Sequence, residues 1–443
     1  MFGDLVSMID DIQGSGKNLA ERVLQRRKKL VELIGQHYPD KKGTVFLFAP
    51  IEHDHAVFLQ ESSFYYFTEI SEPATVISFG YHDHTTLYQP NFGDLRSKWV
   101  HAVDTINDHT KILYGIDELK FNGTQLSSYV MDPYFSAADY QQVIQDLIQT
   151  IAQGKVIFTL YPHHTRAYAQ LKFIIDRLSL FIPNLMEHVV DVSHLVAKLR
   201  RKKDISEIEK MYQAIAITDA AFQAAAHVVK PDCREAEIQA AMEYIFTENH
   251  ANKAYPSIVA GGKRAAVLHY HANNEIVLEG EMVLIDAGAM HQHYCADITR
   301  VFPTNGTFNN RQKELYQIVL DTQAHVVEHI RPGVWLSNAQ EPSKSLQHIA
   351  HEYLKKYGYD KYFIHGIGHY LGLDVHDVGS RQEPLAEGDV ITIEPGIYIP
   401  EEGIGIRIED NYWILSEAEP VCMSEEIPKD IESIEQMVQQ KFE

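Results

Sequence analysis

The amino-acid sequence predicts an α+β protein with two domains. The chain has 443 residues, 45% of them hydrophobic, which exceeds the length of one ordinary domain and suffices for a large core. Residues 1–195 alternate short apolar runs with amphipathic stretches, whereas residues 196–443 start with a long helical pattern and continue with paired strands. We therefore place a domain boundary between residues 195 and 196.

The first domain is predicted from three apolar runs with amphipathic stretches between them. Runs of this length and composition are typical of buried strands. They read GTVFLFAP, ATVISFGY and KVIFTLYP, and they start at Gly43, Ala74 and Lys155. The alternation of strand and helix patterns favours an α/β domain.

A long helix is predicted at the start of the second domain, in the segment that begins KLRRKKDISEIEK. Ser206 is a suitable N-cap residue, and the residues after it have an apolar stripe at helical spacing. The stripe consists of Ile208, Met211, Ile215, Thr218, Phe222 and Ala226.

Two segments later in the chain resemble each other. EGEMVLIDAG, residues 279–288, aligns without gaps on EGDVITIEPG, residues 387–396, and the alignment sets Asp286 opposite Glu394. Glu-Gly turns before strands are common, so the match is either chance or the sign of two related halves. In the second case each half sends a strand that ends in an acid toward a shared centre.

Each of these acids has a second acid in the strand that follows. Asp297 lies eleven residues after Asp286, where a hairpin return brings the two carboxylates side by side. Alternation along the later strand sets Arg407 and Glu409 together on one face. Acids near strand ends are commonly turn formers or solvated groups. Four acids in one centre, however, would repel one another unless cations lay between them.

Histidines are concentrated in the segment FIHGIGHYLGLDVHDVG, which contains His365, His369 and His376. Two histidines four residues apart are typical of a zinc-binding helix, but the glycines between and after them are unfavourable in a helix. Each histidine is therefore either structural or one ligand beside carboxylates. One imidazole with four carboxylates suits two hard or borderline cations, Mn²⁺ more than Zn²⁺. The segment YPSIVAGGKRAAVLHYHANN adds His269 and His271. Sequence spacing does not show which of these two histidines belongs to the site.

Composition limits the partners of the protein. A net charge of −22 argues against nucleic acid, which is bound through clustered basic residues. No apolar run reaches the roughly 18 residues of a membrane span, and MFGDLVSMIDD lacks the features of a signal peptide. Cys233, Cys295 and Cys422 lack metal-site spacing and suit a reducing compartment. We expect a cytoplasmic protein without nucleic-acid or membrane partners.

Five motifs occur together in a fixed order along the second domain. They are LHYHANN, IDAG followed by ADITRVF, HGIGHYLGLDVHD, ITIEPGIY and GIGIRIED. This set, which extends from about Lys198 to about Leu415, resembles the pita-bread metallopeptidases and, among them, aminopeptidase P. The earlier segment FLQESSFYYFTEISEPATVISFG is similar to the N-terminal domain that aminopeptidase P shares with some prolidases.

The resemblance implies an architecture and an assembly. Residues 1–195 would form an aminopeptidase P-type α/β domain with a mixed, ribonuclease H-like sheet. Residues 196–443 would form the pita-bread catalytic domain, whose halves are related by a pseudo-twofold axis. Members commonly form dimers or tetramers, so a homo-oligomer is expected.

The resemblance also implies the metal ligands. The five positions that match the family's ligands are Asp286, Asp297, His369, Glu394 and Glu409. In that pattern Asp297 and Glu409 bridge two divalent metal ions. Asp286 holds one of these ions, and His369 and Glu394 hold the other. Mn²⁺ is the expected metal, with Co²⁺, Zn²⁺ and Fe²⁺ as alternatives.

Further positions match residues that act on the substrate. The catalytic matches are Glu394, His269, His365, His376 and Arg407, and the substrate-contacting matches are His269, His365, His376 and Asp286. We expect Arg407 to orient Glu409 and to balance charge among the acids. His271 keeps a structural interpretation.

The function implied is that of an Xaa-Pro aminopeptidase, which hydrolyses the bond between an N-terminal residue and a following proline by attack of a hydroxide that bridges the two metals. The nearest alternative is an Xaa-Pro dipeptidase (prolidase) with the same metal site, in which an arginine such as Arg381 binds the proline carboxylate. A more remote alternative is a pita-bread module that has lost catalysis and only binds proteins. The complete ligand set disfavours this last alternative.

Overall fold

The computed structural model describes residues 19–53, 57–81, 84–100, 106–131, 135–163, 167–416 and 419–440. The chain forms two compact units, of which the first ends at Arg200 and the second starts at Arg201. The sequence prediction places the boundary between residues 195 and 196. The N-terminal stretch considered for a signal peptide lies outside the described residues. Within the described ranges, no helix combines the length and hydrophobicity that a membrane crossing requires.

The first unit contains both strands and helices. The elements in chain order are α1 (Leu19–His37), β1 (Gly43–Phe48), α2 (Ser62–Thr68), β2 (Val76–Phe79), β3 (Thr86–Gln89), β4 (Glu118–Phe121), α3 (Gln141–Ala152), β5 (Val156–Thr159), α4 (Ala169–Leu178), α5 (Leu185–His188), β6 (Val189–Asp191) and α6 (Ser193–Arg201), the last of which ends at the boundary.

The second unit contains long helices and short paired strands. The elements in chain order are α7 (Ile205–Val228), α8 (Glu235–Glu248), β7 (Asn252–Lys253), β8 (Ile258–Gly261), β9 (Met282–Ala287), β10 (Ala289–His291), β11 (Tyr294–Cys295), β12 (Ile298–Pro303), α9 (Asn310–Val327), α10 (Leu346–Lys355), β13 (Val390–Ile393), β14 (Gly396–Ile399), β15 (Ile404–Arg407), β16 (Asp410–Trp413), β17 (Val421–Cys422) and α11 (Ile431–Gln439).

Strands β1 to β6 form one mixed sheet in the order β4-β3-β2-β1-β5-β6. Strand β1 is antiparallel to β2 and parallel to β5, and β3 is parallel to β4. The three apolar runs predicted as strands form β1, β2 and β5, and all four residues of β2 are buried. Continuous burial is expected for a strand that is covered on both faces of the sheet. The predicted α/β fold with a mixed sheet is confirmed.

Helix α7 begins with a different cap from the one predicted. The N-cap residue is Asp204, whose side chain accepts a hydrogen bond from the backbone N–H of Glu207, while the Glu207 side chain accepts one from the Asp204 N–H. This reciprocal pair satisfies two of the unpaired donors at the helix start. Ser206 instead donates its hydroxyl to the Asp204 carboxylate at 2.7 Å. The prediction of Ser206 as the cap is wrong.

The two similar sequence segments form equivalent strands, β9 and β13. Strand β9 lies between β8 and β12 in an antiparallel sheet, and β13 pairs in the same antiparallel way with β16. An isolated bridge between Thr299 and Glu409 joins the two halves. The prediction of a pita-bread domain with two related halves is confirmed, and the strand ends of both halves meet at one place.

A buried ion pair also holds the two halves together. Arg300 on β12 and Asp410 on β16 are fully buried, with Arg300 Nη2 2.7 Å from Asp410 Oδ1. The same guanidinium donates to the carbonyls of Glu409, Thr299, Pro428 and Ile427. Three of these four hydrogen bonds, those to Glu409, Thr299 and Ile427, are buried, so the loss of their donor leaves several buried polar groups unsatisfied.

We predict that Arg300→Met lowers the free energy of unfolding by about 3–5 kcal/mol, the cost of breaking a buried ion pair by removing one partner. Urea denaturation measures this change. The matched control is Arg311→Met, because Arg311 forms a double contact with Glu402 at 2.8 and 2.9 Å on a partly exposed surface. Pairs of that kind are worth about 1 kcal/mol or less. Equal losses in the two variants would contradict the structural role of Arg300.

Candidate metal centre and active site

The five predicted metal ligands meet in one cavity of the second unit. Asp286 lies near the end of β9, and Glu394 directly follows β13. Asp297 directly precedes β12, and Glu409 directly precedes β16. His369 lies in the loop after α10. The cavity has a volume of about 550 Å³.

The geometry around His369 is suited to binding a cation. One ligand atom each from Asp297, His369 and Glu409 lies within 4.8 Å of the others. His369 Nε2 is 3.4 Å from Asp297 Oδ2 and 3.6 Å from Glu394 Oε1. The other ring nitrogen, Nδ1, lies 3.1 Å from the carbonyl oxygen of Tyr370. A proton on Nδ1 would leave Nε2 as the nitrogen that can hold a metal, as in most histidine metal ligands.

The histidine loop is held against strand β13 by its backbone. The N–H of Thr392 donates to the His369 carbonyl at 2.9 Å, and the N–H of Glu394 donates to the Ile367 carbonyl at 2.9 Å. Gly368 lies between these bonds, and a Cβ atom there would be 2.0 Å from the Thr392 carbonyl oxygen. The glycine is therefore required for the close approach, and the loop is not helical, as its glycines predicted.

Arg407 lies behind the acids and contacts one of them directly. Its Nη2 donates to Asp286 Oδ2 at 2.5 Å, and its Nε donates to the Thr299 hydroxyl at 3.0 Å. The Thr299 hydroxyl in turn donates to Glu409 Oε2 at 2.7 Å. Among the described residues, Arg407 thus holds Asp286 directly and reaches Glu409 through Thr299. The expected orientation of Glu409 by Arg407 would run through the Thr299 hydroxyl.

Tyr255 is a site residue that the sequence analysis did not identify. Its hydroxyl is 2.6 Å from Asp286 Oδ1 and 2.5 Å from Asp297 Oδ1. Burial, followed by the charges of the two acids, raises its pKa well above the ordinary value, so the phenol stays protonated. The available signal was its place just before β8, which pairs with β9 and so brings Tyr255 toward Asp286.

The remaining histidines surround the ligands. His365 Nε2 is 2.8 Å from the Tyr398 hydroxyl, which also accepts a hydrogen bond from Arg407 Nη1 at 2.8 Å. His376 packs edge-on against His369, with ring centroids 4.2 Å apart. His269 and His271 stack on each other at 6.1 Å, and both line the cavity together with Arg381. Tyr398, a second residue missed by the sequence analysis, connects His365 to Arg407.

The buried acids carry more negative charge than their neighbours balance. Burial raises the pKa of Glu394 from 4.5 to about 7, and burial with the nearby acids raises that of Glu409 well above its ordinary value. Burial opposes the charge of His369, but its bond to Asp297 and the charges of Glu394 and Asp297 outweigh this and raise its pKa to about 9. The metal-free site therefore holds protons that divalent cations would replace. This oxygen-rich set fits hard or borderline cations.

We predict that metal binding is linked to proton release. Because the pKa values of Glu394 and His369 are raised in the folded state, the metal-free protein loses stability as the pH rises from 4.5 toward about 9. Cations compete with fewer protons at high pH, so the gain in melting temperature on adding Mn²⁺ should be larger at pH 8 than at pH 6. Calorimetry with Mn²⁺-loaded and chelated protein measures this gain, and an equal gain at both pH values would contradict the account.

Comparisons with known proteins agree with this geometry. Residues 209–416 match metallopeptidase family M24. Intermediate cleaving peptidase 55 from Schizosaccharomyces pombe is 30% identical over 94% of this chain and 86% of its own length. The structure of an Escherichia coli aminopeptidase P variant in complex with substrate superposes with a TM-score of 0.78 at 26% identity, covering 96% of this chain and 99% of that one.

Other curated relatives match the chain over a shorter length. The Xaa-Pro aminopeptidase of Haemophilus influenzae is 36% identical to this chain. The match covers 56% of this chain and 64% of that relative's length. Xaa-Pro dipeptidases are also among the similar proteins. The match that extends over nearly the whole chain, together with the ligand set and the two related halves, shows that the chain belongs to metallopeptidase family M24.

Proposed function

We propose that the protein is an Xaa-Pro aminopeptidase with two divalent metal ions, acting on peptides with proline at the second position. The observation that carries the proposal is the meeting of four carboxylates and one imidazole in a single cavity of about 550 Å³. A cavity of this size accommodates a short peptide. The resemblance to aminopeptidase P structures over nearly the whole chain supports the same activity.

The ligand roles follow the family pattern. By that pattern Asp297 and Glu409 would hold both metal ions, Asp286 would hold one of them, and His369 with Glu394 would hold the other. The cluster of Asp297, His369 and Glu409 within 4.8 Å supports this division, as does Glu394 at 3.6 Å from His369. We propose Mn²⁺ as the native metal, because four carboxylates to one imidazole favour a harder cation than zinc.

The chemistry divides between the metals and the chain. Two bound cations would supply a Lewis acid that lowers the pKa of a coordinated water toward neutrality. Glu394 is proposed to accept a proton from the attacking water and to pass it to the proline nitrogen, which must be protonated to leave.

Two histidines are available to stabilise the tetrahedral intermediate. His376 and His269 both line the cavity. An imidazole N–H can donate to the negative charge that develops on the carbonyl oxygen only in the transition state. His365 has a different role, because both of its ring nitrogens already lie 2.8 Å from the Tyr398 hydroxyl and the Gly366 carbonyl. We propose that it fixes the wall of the cavity that the substrate contacts.

One observation favours a second candidate, an Xaa-Pro dipeptidase. Arg381 lines the same cavity as the ligands. An arginine there could form paired hydrogen bonds with the free carboxylate of a C-terminal proline. Dipeptidases with similar sequences make this the alternative to test.

We also propose that the protein is cytoplasmic and forms a homo-oligomer. The cysteines Cys233, Cys295 and Cys422 are all thiols, which supports a reducing, cytoplasmic compartment. The family resemblance supports a homo-oligomer, a dimer or a tetramer. The net charge of −22 supports the absence of a nucleic-acid partner.

We predict that His369→Ala and Asp297→Asn each lower kcat/KM for an Xaa-Pro peptide on the order of 10³-fold or more, because removing a ligand costs several kcal/mol of Lewis-acid stabilisation. His376→Ala should lower kcat by about 10²–10³-fold and keep both metals. Steady-state kinetics and elemental analysis of the same preparations separate the two effects. Equal metal loss in all three variants, or full activity of a ligand variant in metal-replete buffer, would overturn the assignment.

Peptide length distinguishes the two candidate activities. We predict that an aminopeptidase cleaves an Xaa-Pro-Xaa tripeptide at least as efficiently as an Xaa-Pro dipeptide, and that Arg381→Ala affects both alike. A dipeptidase would reject the tripeptide, and Arg381→Ala would raise its KM for the dipeptide about 10–100-fold through loss of a charged hydrogen bond. Rates for both peptides with both proteins, after chelation and readdition of Mn²⁺, decide between them.

A further inference from the structure

A second cluster of metal-binding side chains lies at the C-terminal end of α9. The sequence there is HVVEH, in which His325 and His329 are four residues apart and Glu328 lies between them. One ligand atom from each of these three residues lies within 4.8 Å of the others. Residues three and four apart project from the same side of a helical turn, which explains the convergence.

The imidazole rings of His325 and His329 contact each other edge to face. Their ring centroids are 4.8 Å apart in an edge-on arrangement, and His325 Nδ1 is 3.5 Å from Glu328 Oε2. His329 Nδ1 lies 2.8 Å from the backbone carbonyl of His325. A proton on that nitrogen leaves Nε2 for a ligand and fixes the ring, as backbone carbonyls do for many metal-bound histidines.

This cluster is separate from the catalytic cavity. On the buried face of the same helix, Gln323 donates to the carbonyls of Ile393 and Ile408, the residues that directly precede the acids Glu394 and Glu409. His325 and His329 are only half-buried, and the Glu328 side chain is 72% exposed. The helix thus supports the catalytic strands with one face and presents the cluster on another.

The ligand types set the class of metal. Two imidazoles and one carboxylate form a nitrogen-rich set, which favours Zn²⁺, Ni²⁺ or Cu²⁺, whereas the four carboxylates of the catalytic cavity favour harder cations. A zinc ion held by two histidines and a glutamate keeps a coordination position for water. Ligand atoms within 4.8 Å need only modest rotations to reach the roughly 2.0–2.2 Å of zinc bonds, and the exposed Glu328 can rotate without disturbing the fold.

We propose that His325, Glu328 and His329 form a third, peripheral site for a borderline divalent ion of the Zn²⁺ type. The site is additional to the proposed catalytic pair and does not depend on it. A helix-terminal histidine alone does not make such a site. His188, at the end of α5, has the same Nδ1 contact, at 3.0 Å from the Asn184 carbonyl, but belongs to no described group of three ligands.

The test uses the full chain and Zn²⁺ as the probe. The protein is stripped with chelator, equilibrated with excess Zn²⁺ by dialysis, washed through a desalting column and analysed for bound zinc. The wild type and His188→Ala should each retain one more equivalent than His329→Ala. Glu328→Gln should weaken the extra equivalent about tenfold or more, since it removes the only charged ligand. His369→Ala should lose zinc from the catalytic cavity and keep the peripheral ion.

The outcomes separate this site from the catalytic one. The proposal is overturned if the wild type and His329→Ala retain the same amount of zinc. It is also overturned if His188→Ala loses as much as His329→Ala, because the binding would then belong to exposed histidines in general. Failure of the aminopeptidase assay would leave the zinc difference between the wild type and His329→Ala unaffected. Circular dichroism of each variant establishes that the fold is retained.

Discussion

The concentration of four buried carboxyl groups is the constraint to which the rest of the second unit responds. Asp286, Asp297 and Glu409 are each less than a tenth exposed, and Glu394 lies beside them. Charges removed from water in this way are stable only when they are protonated, paired or bound to metal. Among the described residues, Arg407 contacts Asp286 directly and reaches Glu409 through Thr299, and one guanidinium cannot balance four acids. The negative charge of these carboxylates therefore requires bound cations to balance it.

The fold holds these acids in place through its two related halves. Strands β9 and β13 deliver one acid each, and the strands paired with them deliver the other two. The bridge between Thr299 and Glu409 and the buried pair of Arg300 and Asp410 fix one half against the other. A small shift between the halves would change the distances between the ligands of one half and those of the other. Backbone pairing and a buried ion pair therefore position the two halves of the centre relative to each other.

Sequence patterns indicated the acids as candidates because charge within apolar strands is conspicuous, whereas the choice of His369 among the histidines came from the resemblance to the family. The repeat that set Asp286 opposite Glu394 also gave the two related halves. The contacts behind the ligands were not predictable in this way. Tyr255 and Tyr398 are ordinary aromatic residues in the sequence, and Thr299 is one of many strand threonines. Their roles depend on which strands become neighbours. Asp204 replaced Ser206 as the cap of α7 for a similar reason, since the choice depends on where the helix starts and on the reciprocal bond with Glu207.

We propose that Asp297 and Glu409 share two cations. Anomalous diffraction from crystals grown with Mn²⁺ would locate each metal independently of activity. We expect two peaks in the cavity, both in contact with Asp297 and Glu409, one also held by Asp286 and the other by His369 and Glu394. A single peak, or two peaks that share neither Asp297 nor Glu409, would contradict it.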